Sequence, residues 1–247
     1  MNLFGQTRTT VAERHALIAP DGHVPSAFPG WDGVTTNVLL SPAMGARLSQ
    51  LLLTFEADQD GIAIFPADVH EHAVYVETGR VILSYGGDDL TLEAGGFLFV
   101  PWETELKITS SDGAKLTVFR KEYEFAENEE SPPAIHGNAS EITGEPFMGN
   151  ERAILKTLLP IDPRYDMAIN IFTYEPGATT LPFVETHIME HGLLMLSGQG
   201  IYRLEESYYP VIKGDAIWMA PYCPQWFVAM GDEPASYLYY KDIHRLP

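Results

Sequence analysis

Residues 183–200 read FVETHIMEHGLLMLSGQG, and the backbone conformation assigned to them decides how the chain is understood. Inside lies His187-Ile188-Met189-Glu190-His191, an H-x-x-E-H spacing. On a helix it would stack two imidazoles one turn apart around a metal ion, with Glu190 as the general base of a peptidase. The flanks argue against a helix: Pro182 stands five residues before His187, and Gly192 follows His191 at once. On a strand, Glu185 and His187 share a face because their separation is even, while His191 would lie ~13 Å from His187, too far to share an ion. A turn at Ile188-Met189-Glu190 removes the difficulty by placing His191 on the next strand, facing back. Gln225, behind Pro224, can supply a fourth donor from another strand.

The strand reading gains support from an internal repeat. Leu53-Thr54-Phe55-Glu56 recurs as Phe172-Thr173-Tyr174-Glu175, and Tyr75–Gly79 recurs as Leu194–Gly198, both at an offset of 119. Gly95–Glu105 matches Gly214–Gln225 with Pro101 over Pro221, and Phe119–Glu122 lies over Tyr239–Asp242, both at an offset of 120. Four matches in one order imply two copies of one unit. The expected division is an N-terminal domain over 1–130 and a C-terminal domain over 131–247, joined through the acidic, Pro-bearing segment 127–141. MAINIFTYE (Met167–Glu175), GDAIWMA and ASYLYYK are short, rich in Ile, Tyr, Phe and Trp, and bounded by Gly, Pro or Asp. No stretch sustains a helical apolar period, so the fold class is all-β, two tandem sandwich or barrel units. Gly79 and Gly198 fall where a hairpin must reverse.

Composition narrows the partners. With 34 acidic against 15 basic residues, the net charge of −19 repels nucleic-acid phosphates and anionic lipid. No apolar run reaches the ~18–20 residues that span a bilayer. One cysteine, Cys223, makes no intramolecular disulfide, and the start lacks a basic flank leading into an apolar core, so a cytoplasmic location is expected. Cys223 itself is read as a small packed hydrophobe.

The second repeat is similar to a cupin, and the chain to a bicupin. The usual first motif of that fold is H-x-H, then Glu, then a Gly-containing turn, with a later motif ending in His. Here Glu185-Thr186-His187 occupies the H-x-H place, His191 the Glu place and Gln225 the late His place. This altered set, with ETHIMEHG, LSGQG, the terminal SYLYYKD, and LIAPDGHVPSAFPGW and LSPAMGA in the first repeat, resembles the (S)-ureidoglycine aminohydrolases of purine-ureide breakdown. The resemblance implies hydrolysis of (S)-ureidoglycine to ureidoglycolate and ammonia. Glu185, His187, His191 and Gln225 are the implied ligands of one divalent ion per chain, taken as Mn²⁺; the mixed O/N donor set suits Mn²⁺ and by itself leaves Fe²⁺, Co²⁺, Ni²⁺ and Zn²⁺ open. Glu185, Tyr237 and Lys241 are the implied substrate contacts, and Lys241 and Glu185 the implied catalytic groups. Tyr237, Tyr239 and Lys241 share one face of the last strand by parity, and a lysine there is suited to gripping a substrate carboxylate.

The first repeat differs. Aligned through Gly79, its corresponding positions are Pro66, Asp68, His72 and Glu105, and Pro66 has no side-chain donor. His70-Glu71-His72 imitates H-x-H but stands several residues out of place. This unit is expected to lack metal, to be mainly structural and to serve a subunit interface in a homo-oligomer. Two other classes stay open on the residues: an Fe²⁺ or Cu²⁺ bicupin dioxygenase, since two His and a carboxylate also suit O₂ chemistry, and a small-molecule-binding cupin without turnover.

Overall fold

The computed structural model describes residues 5–127 and 129–245. Among them, regular structure is strand apart from two three-residue 3-10 turns, Pro20–Gly22 and Pro42–Met44. No helix is long and apolar enough to cross a membrane. Alternation builds the strands: Gln199–Leu204 and Gln225–Met230 bury alternate residues and pair antiparallel with Tyr202 opposite Phe227. One face of each strand thereby enters a core while the other meets solvent.

The two repeats use one strand order. In the first, Leu48–Phe65, Leu106–Glu122, His70–Tyr85 and Gly96–Val100 lie side by side. In the second, Met167–Tyr174, Ala235–Asp242, His191–Ser197 and Ala216–Met219 do the same. Ser207–Ile212, Gln199–Leu204 and Gln225–Met230 form the facing sheet of the second unit. The chain is an all-β bicupin. Gly198 turns the chain between His191–Ser197 and Gln199–Leu204 with φ 68°, and a Cβ there would come 2.5 Å from the Pro234 carbonyl oxygen. Gly79, at φ 81°, instead bulges inside the long strand His70–Tyr85, its would-be Cβ 2.1 Å from the Gly113 oxygen.

The compact units are not the contiguous segments 1–130 and 131–247. One gathers the N-terminal segment through Val24 with Gly144–Lys156 and Asn170–Lys241. The other gathers Pro25–Thr143 with Thr157–Ile169 and the tail from Asp242. The reason is edge pairing. His15–Ile18 adds to the second repeat's strand Ala216–Met219, His15 opposite Met219. Ile135–Asn138 adds to the first repeat's strand Gly96–Val100, Asn138 opposite Gly96. The strand that leads into each repeat thus closes the sheet of the other, satisfying a row of backbone N–H and C=O groups.

Side chains fix the N-terminal strand in place. Arg8 donates from Nη1 and Nη2 to the two oxygens of the fully buried Asp215, at 2.7 Å each. His15 is held between Glu205 Oε2 (3.0 Å) and the Tyr209 hydroxyl (2.8 Å). Arg8→Ala leaves Asp215 without its cation. With the guanidinium 37% exposed, the expected loss is about 1–2 kcal/mol, below the roughly 3–5 kcal/mol of a fully buried pair. Urea unfolding measures it. A fragment limited to 131–247 should fail to fold cooperatively, because the edge of Ala216–Met219 is then open.

In the first-repeat unit, Glu71 and Asp166 are fully buried beside Lys121, whose Nζ donates to Asp166 Oδ2 at 2.5 Å. Burial, then the hydrogen bond and charge of Asp166, push Glu71 well above the usual carboxylate range. The folded chain therefore favours the protonated form of Glu71. Below the ordinary Glu pKa of about 4.3 both folded and unfolded chains hold this proton. Above it the unfolded chain releases the proton while the folded chain keeps it, so stability falls as pH rises toward the folded pKa. Glu71→Gln, which retains an N–H donor toward Asp166, should flatten the fall in Tm between about pH 5 and pH 8. An unchanged pH slope would contradict this reading.

Candidate active site

Met167–Tyr174, His191–Ser197, Gln225–Met230 and Ala235–Asp242 turn their inward side chains into one cavity of about 250 Å³. Glu185, His187, His191, Gln225, Tyr237 and Lys241 all line it. The approach to His187 is not a strand. Residues 181–190 are irregular, tied by a single antiparallel bridge in which Glu185 N–H donates to the Gln225 carbonyl (3.0 Å) and Gln225 N–H returns to Glu185 (2.9 Å). That bridge brings the two distant donors together. His191 opens the next strand, opposite Lys241 on one side and Met219 on the other.

The ring nitrogens converge. His191 Nε2 lies 3.3 Å from His187 Nε2, and the Gln225 amide nitrogen lies 2.9 Å from the same atom. His191 Nδ1 donates to the Tyr240 carbonyl at 3.3 Å, so the lone pair of this imidazole is on Nε2, aimed into the cavity. Burial, with the charge of Lys241, keeps His187 below the ordinary imidazole range. Burial, His187 and Lys241 together hold His191 well below it. Both rings are neutral donors at pH 7. Burial raises Glu185 against the opposing pull of Lys241.

Does this set fit a divalent ion? Cis donors on bonds of about 2.1 Å stand about 3 Å apart, which matches the two distances at His187. The amide turns its oxygen inward by a 180° rotation that exchanges two isosteric groups. Glu185 Oε2, at 3.9 Å from His187 Nε2, stands roughly 1 Å outside that spacing. Accordingly, no three His, Cys, Asp or Glu side chains among the described residues close into a metal site. In chemical kind the four donors fit; the carboxylate is the one that must move inward.

The walls are aromatic. The Tyr174 and Tyr237 hydroxyls are 2.8 Å apart, and Tyr202 donates to Gln225 Oε1 at 3.5 Å. Burial raises all three well above the ordinary phenol value, so they remain protonated donors. Phe172 stacks on Tyr239 with centroids 5.5 Å apart. Tyr174, Tyr202 and Phe172 were not singled out from the sequence. The alternation of Asn170, Phe172 and Tyr174 within MAINIFTYE was the available signal.

No family model matches the chain. It is 37% identical over 252 residues to a protein of Oryza sativa subsp. japonica named "Probable (S)-ureidoglycine aminohydrolase", covering 100% of this chain and 78% of that one. It is 35% identical over 254 residues to the (S)-ureidoglycine aminohydrolase of Arabidopsis thaliana, covering 100% and 81%. The chain belongs to the (S)-ureidoglycine aminohydrolase family. Among solved structures, protein Ylba from E. coli superposes with a TM-score of 0.86 at 29% identity, over 99% of this chain and 97% of that one.

Family membership accords with how the rest of H-x-x-E-H is used. The segment forms no helix, and Glu190 points away from the cavity into the core, fully buried, accepting from the Trp218 indole at 2.7 Å. It is a buried carboxylate packed in the core. Cys223 is buried in the core and burial pushes its thiol up to about 11. In the first repeat, Asp68 pairs with Arg120 Nη2 (2.7 Å) and His70 Nδ1 (2.8 Å), while Glu105 is exposed. His72 is buried against Phe65, and burial lowers its pKa to about 3.

Glu190→Gln retains an acceptor for Trp218 and should keep both the fold and the metal content. Glu190→Leu orphans the indole N–H and should cost about 1–3 kcal/mol in urea unfolding. Loss of metal from a folded Gln variant would show that Glu190 belongs to the site after all.

Proposed function

We propose that the second-repeat cavity hydrolyses (S)-ureidoglycine to (S)-ureidoglycolate and ammonia, with Glu185, His187, His191 and Gln225 holding one divalent ion. The observation that supports this most is the meeting of all four donors with Lys241 and Tyr237 in one cavity of a chain similar over its full length to named ureidoglycine aminohydrolases. A bound divalent ion supplies Lewis-acid polarisation and a fixed orientation for substrate and water. The ion is taken as Mn²⁺, on the mixed carboxylate, imidazole and amide donors. The same reading carries a homo-oligomer in the cytoplasm without nucleic-acid or membrane partners, the last supported by the charge of −19.

The protein groups divide the work. Lys241 Nζ grips the substrate carboxylate, which explains a cation kept in a cavity beside two neutral imidazoles. The Tyr237 hydroxyl, held by Tyr174, donates a hydrogen bond to the substrate's polar end. One oxygen of Glu185 takes the proton of the attacking water as the C–O bond forms. The C–N bond breaks, the leaving nitrogen receives a proton, and ammonia departs. Phe172 and Tyr239 keep bulk water from the reacting carbon.

Ammonia release from freshly generated ureidoglycine by metal-defined protein tests the assignment, with oxygen uptake as the sign of a dioxygenase instead. Metal analysis should give about one ion per chain, lost in His187→Ala and kept in His70→Ala. Lys241→Met should keep the ion and the fold yet lose at least ~10²-fold in kcat/KM, about 2.7 kcal/mol of transition-state stabilisation. Tyr237→Phe should cost less, since a neutral hydrogen bond is weaker than a charge-assisted one. Normal turnover by Lys241→Met would move the substrate site elsewhere.

A further inference from the structure

The first repeat carries a cavity of its own, and its sheet register sets a cation there. In the second repeat His191 stands opposite Lys241; in the first, His72 stands opposite Arg120. Parity puts Arg120 on the inward face with the buried Val118 and Leu116. Around the guanidinium lies a cavity of about 460 Å³, bounded by Phe28, Trp31, Ser49, Leu51 and Phe65. Its lining contains no acidic side chain, and Arg120 is its one charged group.

The aromatic wall is fixed. Phe28 stacks on Trp31 with centroids 4.6 Å apart, Trp31 meets Phe65 edge-on at 5.0 Å, and Trp31 Nε1 donates to the Ile64 carbonyl at 2.8 Å. Arg120 is oriented by one nitrogen: Nη2 lies 2.7 Å from Asp68 Oδ2 and 2.7 Å from His70 Nδ1. Its Nε and Nη1 have no protein partner among the described residues, and the side chain is 26% exposed. Ser49, the register partner of Arg120, sets a hydroxyl beside it. A guanidinium with N–H groups left over, lining a cavity whose walls are otherwise mostly apolar and aromatic, suits an anion with an apolar body. With Nη2 engaged by Asp68 and His70, a carboxylate takes an N–H bond from one free nitrogen of Arg120 and a second bond from the Ser49 hydroxyl. With the chain's charge of −19 opposing anions at long range, the ligand's apolar body must contribute to binding.

We propose that this first-repeat cavity binds a small organic carboxylate with a flat apolar body, the carboxylate on Arg120 and Ser49 and the body against Trp31 and Phe65. The site is separate from the reaction assigned to the second repeat, and its test does not depend on turnover. Benzoate is the probe, titrated into the metal-loaded full chain by calorimetry and followed by tryptophan fluorescence. The expected result is saturable binding below about 10 mM, retained in Lys241→Met and weakened at least ~10-fold in Arg120→Gln. Arg120→Lys, which keeps the charge but loses the planar guanidinium, should fall between them. Acetate, lacking the flat body, should bind more weakly than benzoate. If Arg120→Gln fails to fold, Ser49→Leu supplies the test by filling the cavity, and it should abolish binding. Benzoate binding that survives both variants but disappears in Lys241→Met would place the carboxylate in the other cavity and overturn the proposal. Absence of saturable binding to the wild-type chain would overturn it equally.

Discussion

Sheet register is the constraint on which the site depends. His191 opposite Lys241, and Glu185 bridged to Gln225, bring together residues up to 56 positions apart. Because side chains alternate, a slip of one residue in either pairing would turn a donor out of the cavity and an apolar neighbour into it. The apolar partners guard against that slip. Leu193, Met195, Tyr237 and Tyr239 share the inward face with the polar donors and lie in one buried core cluster. Burying that face is what keeps the polar residues aligned, at roughly 25 cal/mol per Å² of apolar surface.

A second constraint is the strand edge. A sheet that ended at Ala216–Met219 or at Gly96–Val100 would expose a row of unpaired backbone groups. The chain meets this need by exchange, His15–Ile18 closing one sheet and Ile135–Asn138 the other. Two like repeats therefore do not make two contiguous domains. The bidentate Arg8–Asp215 pair and the His15 contacts to Glu205 and Tyr209 then secure the first of these strands with directional bonds.

One scaffold holds two different charge arrangements. In the second repeat, two imidazoles held neutral, a carboxylate and an amide surround a space beside Lys241. In the first, the position opposite the corresponding histidine is Arg120, already paired with Asp68, and His72 is packed against Phe65. In the first repeat a guanidinium paired with Asp68 stands where the second repeat has an amine. Arg120 lines a cavity walled by Phe28, Trp31 and Phe65. The same inward-facing positions thus carry different residue types on one scaffold.

Much of this was legible in the residues. Period-2 alternation, the offsets of 119 and 120, and Pro182 and Gly192 around H-I-M-E-H were enough for an all-β double unit, because side-chain parity and backbone restriction are local properties. Even spacing within Tyr237-Leu238-Tyr239-Tyr240-Lys241 likewise put the aromatic rings and the lysine on one face. The domain limits were not legible, since pairing His15–Ile18 with Ala216–Met219 spans some 200 residues and carries no local signal. Nor was the fate of Glu190: its neighbours in sequence are site residues, yet the backbone turns it to Trp218 and into the core. The hydroxyl contacts of Tyr174 with Tyr237 and of Tyr202 with Gln225 involve four strands. Sequence determined which residues could face inward; only the tertiary structure decided which of them meet, because distance between strands is set by register and packing rather than by spacing along the chain.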